Sequence, residues 1–308
     1  MTEIVGVLNS MAALVIVSLL GYAAARLGFL AGPAREGISG LVFNITLPCT
    51  ILNAAGQADR SLGGGHVANG LLLGLSFFLI MLAATYAIIA LVKPSQEERP
   101  LYLFMGIFTN IVFAGFPVIE ALYGSNAVFL GSIVFAVFNL LFYSFGVMLI
   151  TMGDSGISVD MHRILSAPLV ASAVAMALFL LDIHLPAFAA EACELAGSAT
   201  SPLGMMLVGV AVAESDFAEV LRERRLYLFE FLRFIALPVA LFMPLRALGM
   251  DEMLLGILVA LLAMPVGSIA PAVATAYRLD PDLPARGIVV TTVFSFATFP
   301  LLALLLTL

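Results

Sequence analysis

The sequence predicts an all-α integral membrane protein of ten transmembrane helices, built as two inverted five-helix repeats. Three observations carry that prediction: an extreme apolar composition, ten apolar blocks of membrane-crossing length, and a spacing of 154 between matching prolines. Of the 308 residues, 62% are hydrophobic and 11% charged, with a mean hydropathy of +1.14, whereas a soluble domain carries about 25% charged residues. No water-soluble fold hides so much apolar surface. A helix needs roughly 20 mostly apolar residues to cross a hydrocarbon layer of about 30 Å.

The predicted helices span 4–27, 37–56, 67–92, 101–123, 126–152, 163–182, 187–213, 226–247, 252–277 and 286–307. The first block carries Glu3 and lacks the basic lead of a signal peptide, so it reads as a transmembrane helix. Turn-forming and charged residues fill the connections, as in Gly28–Arg35, Gln57–His66, Lys93–Pro100 and Glu214–Arg225. None of these is long enough for a soluble domain. The chain therefore divides into a first repeat, 1–154, and a second, 155–308.

Orientation follows from the basic residues, which stay on the cytoplasmic side of short loops. One side collects Arg26, Arg35, Lys93, Arg99, Arg163, Arg222, Arg224, Arg225, Arg278 and Arg286, and the other holds Arg60 and Arg246. This places both termini outside, and an even helix count agrees in putting them on one side. The net charge of −7 sits in loops and implies no nucleic acid or other charged partner. Cys49 and Cys193 and three scattered histidines have no metal-type spacing, so neither a metal site, a cofactor nor a disulfide is expected.

The repeat is visible in three pairs 154 apart: Pro48 and Pro202, Pro117 and Pro271, Tyr123 and Tyr277. Five helices per half is odd, so the second half enters the membrane inverted, the plan of many secondary transporters. Predicted helix 4 carries Gly115 and Pro117 near its middle, and predicted helix 9 carries Pro265, Gly267 and Pro271. Proline removes a backbone hydrogen bond and clashes with the preceding turn. Two such breaks in corresponding positions point to a transport site.

Each second half-helix would begin near the bilayer centre with Pro117 or Pro271 in its first turn. A helix N-terminus offers about half a positive charge and unpaired N–H groups. Two of them converging form an anion site without Lys or Arg. The side chains available there are Asn44, Thr46, Asn110 and Ser268, whose polar groups need partners in hydrocarbon and so either bind cargo or brace the breaks. Glu120 is a candidate proton carrier, or simply an acid complementing the dipole of its half-helix. Glu230 and Arg233, three apart, read as an ion pair near the cytoplasmic end of helix 8. Gly70 and Gly74 form a small-xxx-small motif, a weak pointer to a dimer.

These residues resemble the auxin efflux carrier family, whose bacterial members include malonate and other dicarboxylate permeases. The resemblance rests on GYAAARLGFL (Gly21–Leu30), LVFNITLPCTIL (Leu41–Leu52), the series Asn110, Gly115, Pro117, Tyr123 and Gly124, then Pro265, Tyr277 and Asp280, and TTVFSFATFPLL (Thr291–Leu302). It implies the fold of bile-acid symporters and sodium/proton antiporters, with helices 4 and 9 crossed, an elevator-like motion, a homodimer and an inner-membrane location. It also implies that Pro117 and Pro265 are the crossover prolines and that Asn110 lies beside the substrate. Val112 departs from the family, which often has glycine there, and Pro271 is a second proline with no settled place.

The function expected is therefore secondary transport, by alternating access, of a small organic anion such as a mono- or dicarboxylate, with H+ or Na+ as candidate coupling ions. The rival readings are a sodium-coupled symporter of the bile-acid type and a non-transporting membrane sensor. No nucleophile elbow, paired metal-binding histidines or phosphate loop suggests an enzyme.

Overall fold

The computed structural model describes residues 2–30, 32–59, 63–146, 148, 165–214, 224–267, 270, 274–275 and 279–306. Along these the chain forms α1 (Thr2–Arg26), α2 (Pro33–Leu41), α3 (Leu47–Gln57), α4 (Gly63–Val92), α5 (Arg99–Ile107), α6 (Phe116–Leu141) and α7 (Ala167–Leu180). The rest is α8 (Ala187–Gly197), α9 (Thr200–Ala213), α10 (Arg224–Phe231), α11 (Leu237–Ala247), α12 (Glu252–Leu262) and α13 (Asp282–Leu306). Among the described residues, five helical runs are long and apolar enough to cross a membrane by length and composition, Pro33–Gln57, Gly64–Val92, Ile111–Leu141 counted across its turn at Gly124, Ala187–Ala213 and Arg224–Ala247. Predicted helices 2, 3 and 10 each start about one turn earlier than expected; in helices 2 and 10, Pro33 and Pro284 suit a first turn that needs no donor there.

Three helices contain a π turn that ends two residues before a proline. Val42–Thr46 precedes Pro48, Ile111–Gly115 precedes Pro117, and Leu232–Ala236 precedes Pro238. The proline ring would strike the carbonyl four residues back in a regular α-helix. Widening the preceding turn removes the clash and leaves the missing N–H without consequence. Prolines that the sequence marks as breaks are thus accommodated as bulges.

α6 runs from predicted helix 4 into predicted helix 5 and reverses at Gly124, whose backbone (φ 70°, ψ −161°) is open to glycine alone. Gly124→Ala is expected to destabilise the protein by about 1–3 kcal/mol, read as a lower thermal midpoint in detergent.

The buried centre is made of α5, the turn Ile111–Gly115, the start of α6, and α12. Leu101–Ile107, Ile111–Ile119 and Leu255–Leu262 are buried throughout. Ile16, Leu20, Leu72, Leu79 and Leu91 face outward, as lipid-facing residues should. Irregular backbone at membrane depth survives only inside protein, which is where the interrupted helices lie.

Small residues set the closest approaches. A Cβ on Gly209 would stand 1.8 Å from Ser18 O, and one on Gly21 would stand 2.1 Å from Met206 O, so α1 and α9 touch backbone to backbone. Gly70 and Gly74 pack on Ile133, Val134 and Val137 of α6. That motif is consumed within the chain and offers nothing to a dimer.

Candidate functional site

Predicted helices 4 and 9 are both interrupted, and their interruptions meet. After α5 ends at Ile107 the chain runs extended through Phe108–Asn110, and after α12 it runs non-helical through Met264–Gly267. Thr109 and Val266 form an antiparallel bridge, in which Asn110 N donates to Pro265 O (2.8 Å) and Gly267 N to Phe108 O (3.0 Å). Each break thereby satisfies the backbone groups freed by the other. The break in helix 4 lies at 108–110, about two turns before Gly115 and Pro117, because the π turn absorbs the proline.

Asn110 is buried and caps the new helical start. Its Oδ1 accepts from Phe113 N (3.1 Å), and its carbonyl accepts from Gly115 N (3.0 Å). Gly115 is required by proximity, since a Cβ there would come within 2.8 Å of Leu261 and 3.4 Å of Met264. Pro117 follows in the first turn of α6. Pro265 is buried within the second break, while Ser268 and Pro271 lie outside the described residues.

A cavity of about 40 Å³ borders this junction, lined by Thr109–Phe113, Gly267, Asn139 and the rings of Phe43, Phe108, Phe135 and Phe138. Thr109 is the residue that sequence reasoning missed: its hydroxyl is buried, borders the cavity and has no hydrogen-bond partner among the described residues. The only signal for it was adjacency to Asn110.

Other predicted residues lie elsewhere. Asn44 is exposed and donates to Gly40 O (2.9 Å) in its own helix. Thr46 is buried where the second and seventh helices touch, and accepts from Thr200 Oγ1 (2.8 Å). The polar residues expected around the breaks therefore do not converge: of Asn44, Thr46 and Asn110, only Asn110 lines the cavity.

Glu120 was expected well inside the membrane beside the break. It is exposed instead, one turn past Pro117, and accepts from Ser201 Oγ (3.3 Å). It lines a separate polar cavity of about 350 Å³ with Asn53, Gln57, Ser125, Glu194 and Ser198.

Glu230 and Arg233 are not the surface ion pair expected of a three-residue spacing. Both are buried, 1% and 0% exposed, and no ion pair joins them. The π turn beginning at Leu232 carries Arg233 round the helix axis. Its Nε donates to Gly106 O (3.2 Å) and its Nη1 to Met264 O (2.6 Å). Those carbonyls end the two half-helices, where the helix dipole is negative and a cation is favoured. Arg233 thus clamps both breaks from behind.

Cys49 on α3 and Cys193 on α8 are half-buried free thiols.

The family described as membrane transport protein matches the chain twice, over residues 6–159 and 152–303. No curated protein matches it.

Proposed function

Since the chain belongs to the membrane transport protein family, that of the auxin efflux carriers, and is a multi-pass membrane protein rather than an enzyme, we propose that it is a secondary carrier of a small organic anion. The cargo class is a mono- or dicarboxylate such as malonate, bound where the interrupted helices cross and moved by alternating access between two inverted repeats.

The observation that carries the reading is the helical start at Asn110, which opens on the cavity beside an unpartnered Thr109 hydroxyl. A helix N-terminus and a free O–H both favour a carboxylate. The buried Arg233 adds positive charge behind the junction without occupying the cavity. The contact of Thr46 with Thr200 supports the repeat, because these residues are 154 apart (200 − 46) and repeat-mates touch only on a symmetry axis.

At about 40 Å³ the cavity has room for roughly three waters. Cargo enters only when the aromatic walls part, as an elevator-like displacement would bring about. The larger cavity beside Glu120 and Glu194 carries two carboxylates and no cation among its lining residues, so it serves as an outer vestibule and not as an anion site. With both termini outside, that vestibule opens away from the cytoplasm of an inner membrane. A homodimer completes the proposal.

The test is counterflow of labelled malonate and other small carboxylates in liposomes holding the purified protein. Asn110→Ala and Thr109→Val are expected to lower exchange about ten-fold or more, the worth of one hydrogen bond to a charged group, and Pro117→Ala to impair it by disturbing the turn before α6. Absence of exchange across the panel by folded protein overturns the reading.

A further inference from the structure

We propose that Glu230 is the proton-binding residue of this carrier and that its protonation state decides whether Arg233 holds the two broken helices together. The carboxyl lies inside the protein with both oxygens buried and neither accepting a hydrogen bond. A proton on Glu230 removes the cost of an ionised carboxylate without donors in such surroundings, and this conformation is assigned to the protonated state.

The groups around it fit that state. Met105 and Val266, from the two segments that flank the breaks, surround the position where a Cβ on Gly287 would be, and Glu230 Oε1 lies 3.4 Å from that same position. The titratable groups on the elements packed against Glu230 are His66 and Tyr86 on α4, Arg99 and Tyr102 on α5, Asp282 and Arg286 on α13, and Arg224, Arg225, Tyr227 and Arg233 on its own helix and the π turn that continues it. None of them gives the Glu230 oxygens a hydrogen bond.

Arg233 is the group poised to respond. A guanidinium keeps its charge, and it offers five donors. Two are spent on Gly106 O and Met264 O, while Nη2 is buried with no partner. When the Glu230 proton leaves, the new carboxylate attracts the guanidinium three residues away more strongly than two neutral carbonyls do. Arg233 then turns to Glu230, and the carbonyls ending α5 and α12 lose their shared donor. Proton loss is thereby linked to loosening of the junction that borders the cargo cavity, which is what coupling of a proton to transport requires.

The transport part of the test rests on the carrier reading, and a spectroscopic part does not. In liposomes, an imposed pH gradient is expected to accelerate uptake by the wild type and to leave Glu230→Gln unaffected, while Glu230→Gln, a neutral isostere, keeps counterflow that no longer varies with pH. Gradient-driven uptake by Glu230→Gln equal to that of the wild type overturns the proposal. Infrared difference spectra of the purified protein between acid and alkaline pH need no cargo. The C=O stretch of a buried protonated carboxyl is expected in the wild type and lost in Glu230→Gln, and an identical band in both proteins overturns the assignment even if malonate is not the cargo.

Discussion

Gly209→Ala is expected to lower stability by about 3 kcal/mol or more, at or above the upper end of ordinary overpacking, and to abolish exchange in liposomes. The added Cβ would stand 1.8 Å from Ser18 O, 2.7 Å from Tyr22 N and 2.8 Å from Ser18 C. All three are backbone atoms of α1. A crowded side chain can change rotamer, but a backbone moves only with its helix, so α1 and α9 would have to separate along their contact. Gly56→Ala, where no atom lies within 4 Å of the new Cβ, should stay within about 0.5 kcal/mol of wild type. Thermal unfolding of the three proteins in detergent decides the matter, and coincident midpoints for Gly209→Ala and wild type would mean that the two helices do not touch as described.

Arg233→Met is expected to have the second large effect. The substitution keeps the volume of the stem but withdraws the donor from Gly106 O and Met264 O. A buried acceptor left unsatisfied costs about 1–3 kcal/mol, so the pair sums to about 2–6 kcal/mol. With Glu230 protonated, as proposed above, its carboxyl adds little, since it loses no hydrogen bond. Arg233→Lys separates charge from geometry: an ammonium restores the cation at the two helix ends but cannot reach both carbonyls with a planar fork. Thermal midpoint and counterflow should therefore rank wild type, then Lys, then Met. Equal behaviour of Lys and wild type would show that charge alone matters at this position.

Much of the architecture is legible in the sequence, because hydrocarbon thickness dictates helix length and proline dictates where a helix deforms. Pro117 and Gly115 do lie at a distortion, and Asn110 lies at the junction. The location of the break was misjudged by about two turns, since a proline rule does not say whether the chain answers with an extended stretch or with a wider turn. Beyond its adjacency to Asn110, Thr109 carries no sequence signal, as its importance comes from the absence of a partner among the described residues, a property of the surroundings.

Glu230 and Arg233 show the same limit. Their spacing predicts a pair, and only the carbonyls of Gly106 and Met264, more than 30 and 120 residues away in the sequence (264 − 233 = 31; 233 − 106 = 127), reveal why no pair forms.

The bridge between Thr109 and Val266 has a consequence for how the protein is made. The backbone groups exposed at Phe108–Asn110 find their acceptor and donor in Pro265 and Gly267, and these are synthesised about 157 residues later (266 − 109). At about 5–20 residues per second the ribosome needs on the order of ten seconds or more to supply them. Through that interval the first half of the chain holds polar backbone at a depth where lipid cannot satisfy it. The nascent fourth helix must therefore wait in a wet or proteinaceous shelter until the ninth arrives, and chain release into lipid is a late, paired event.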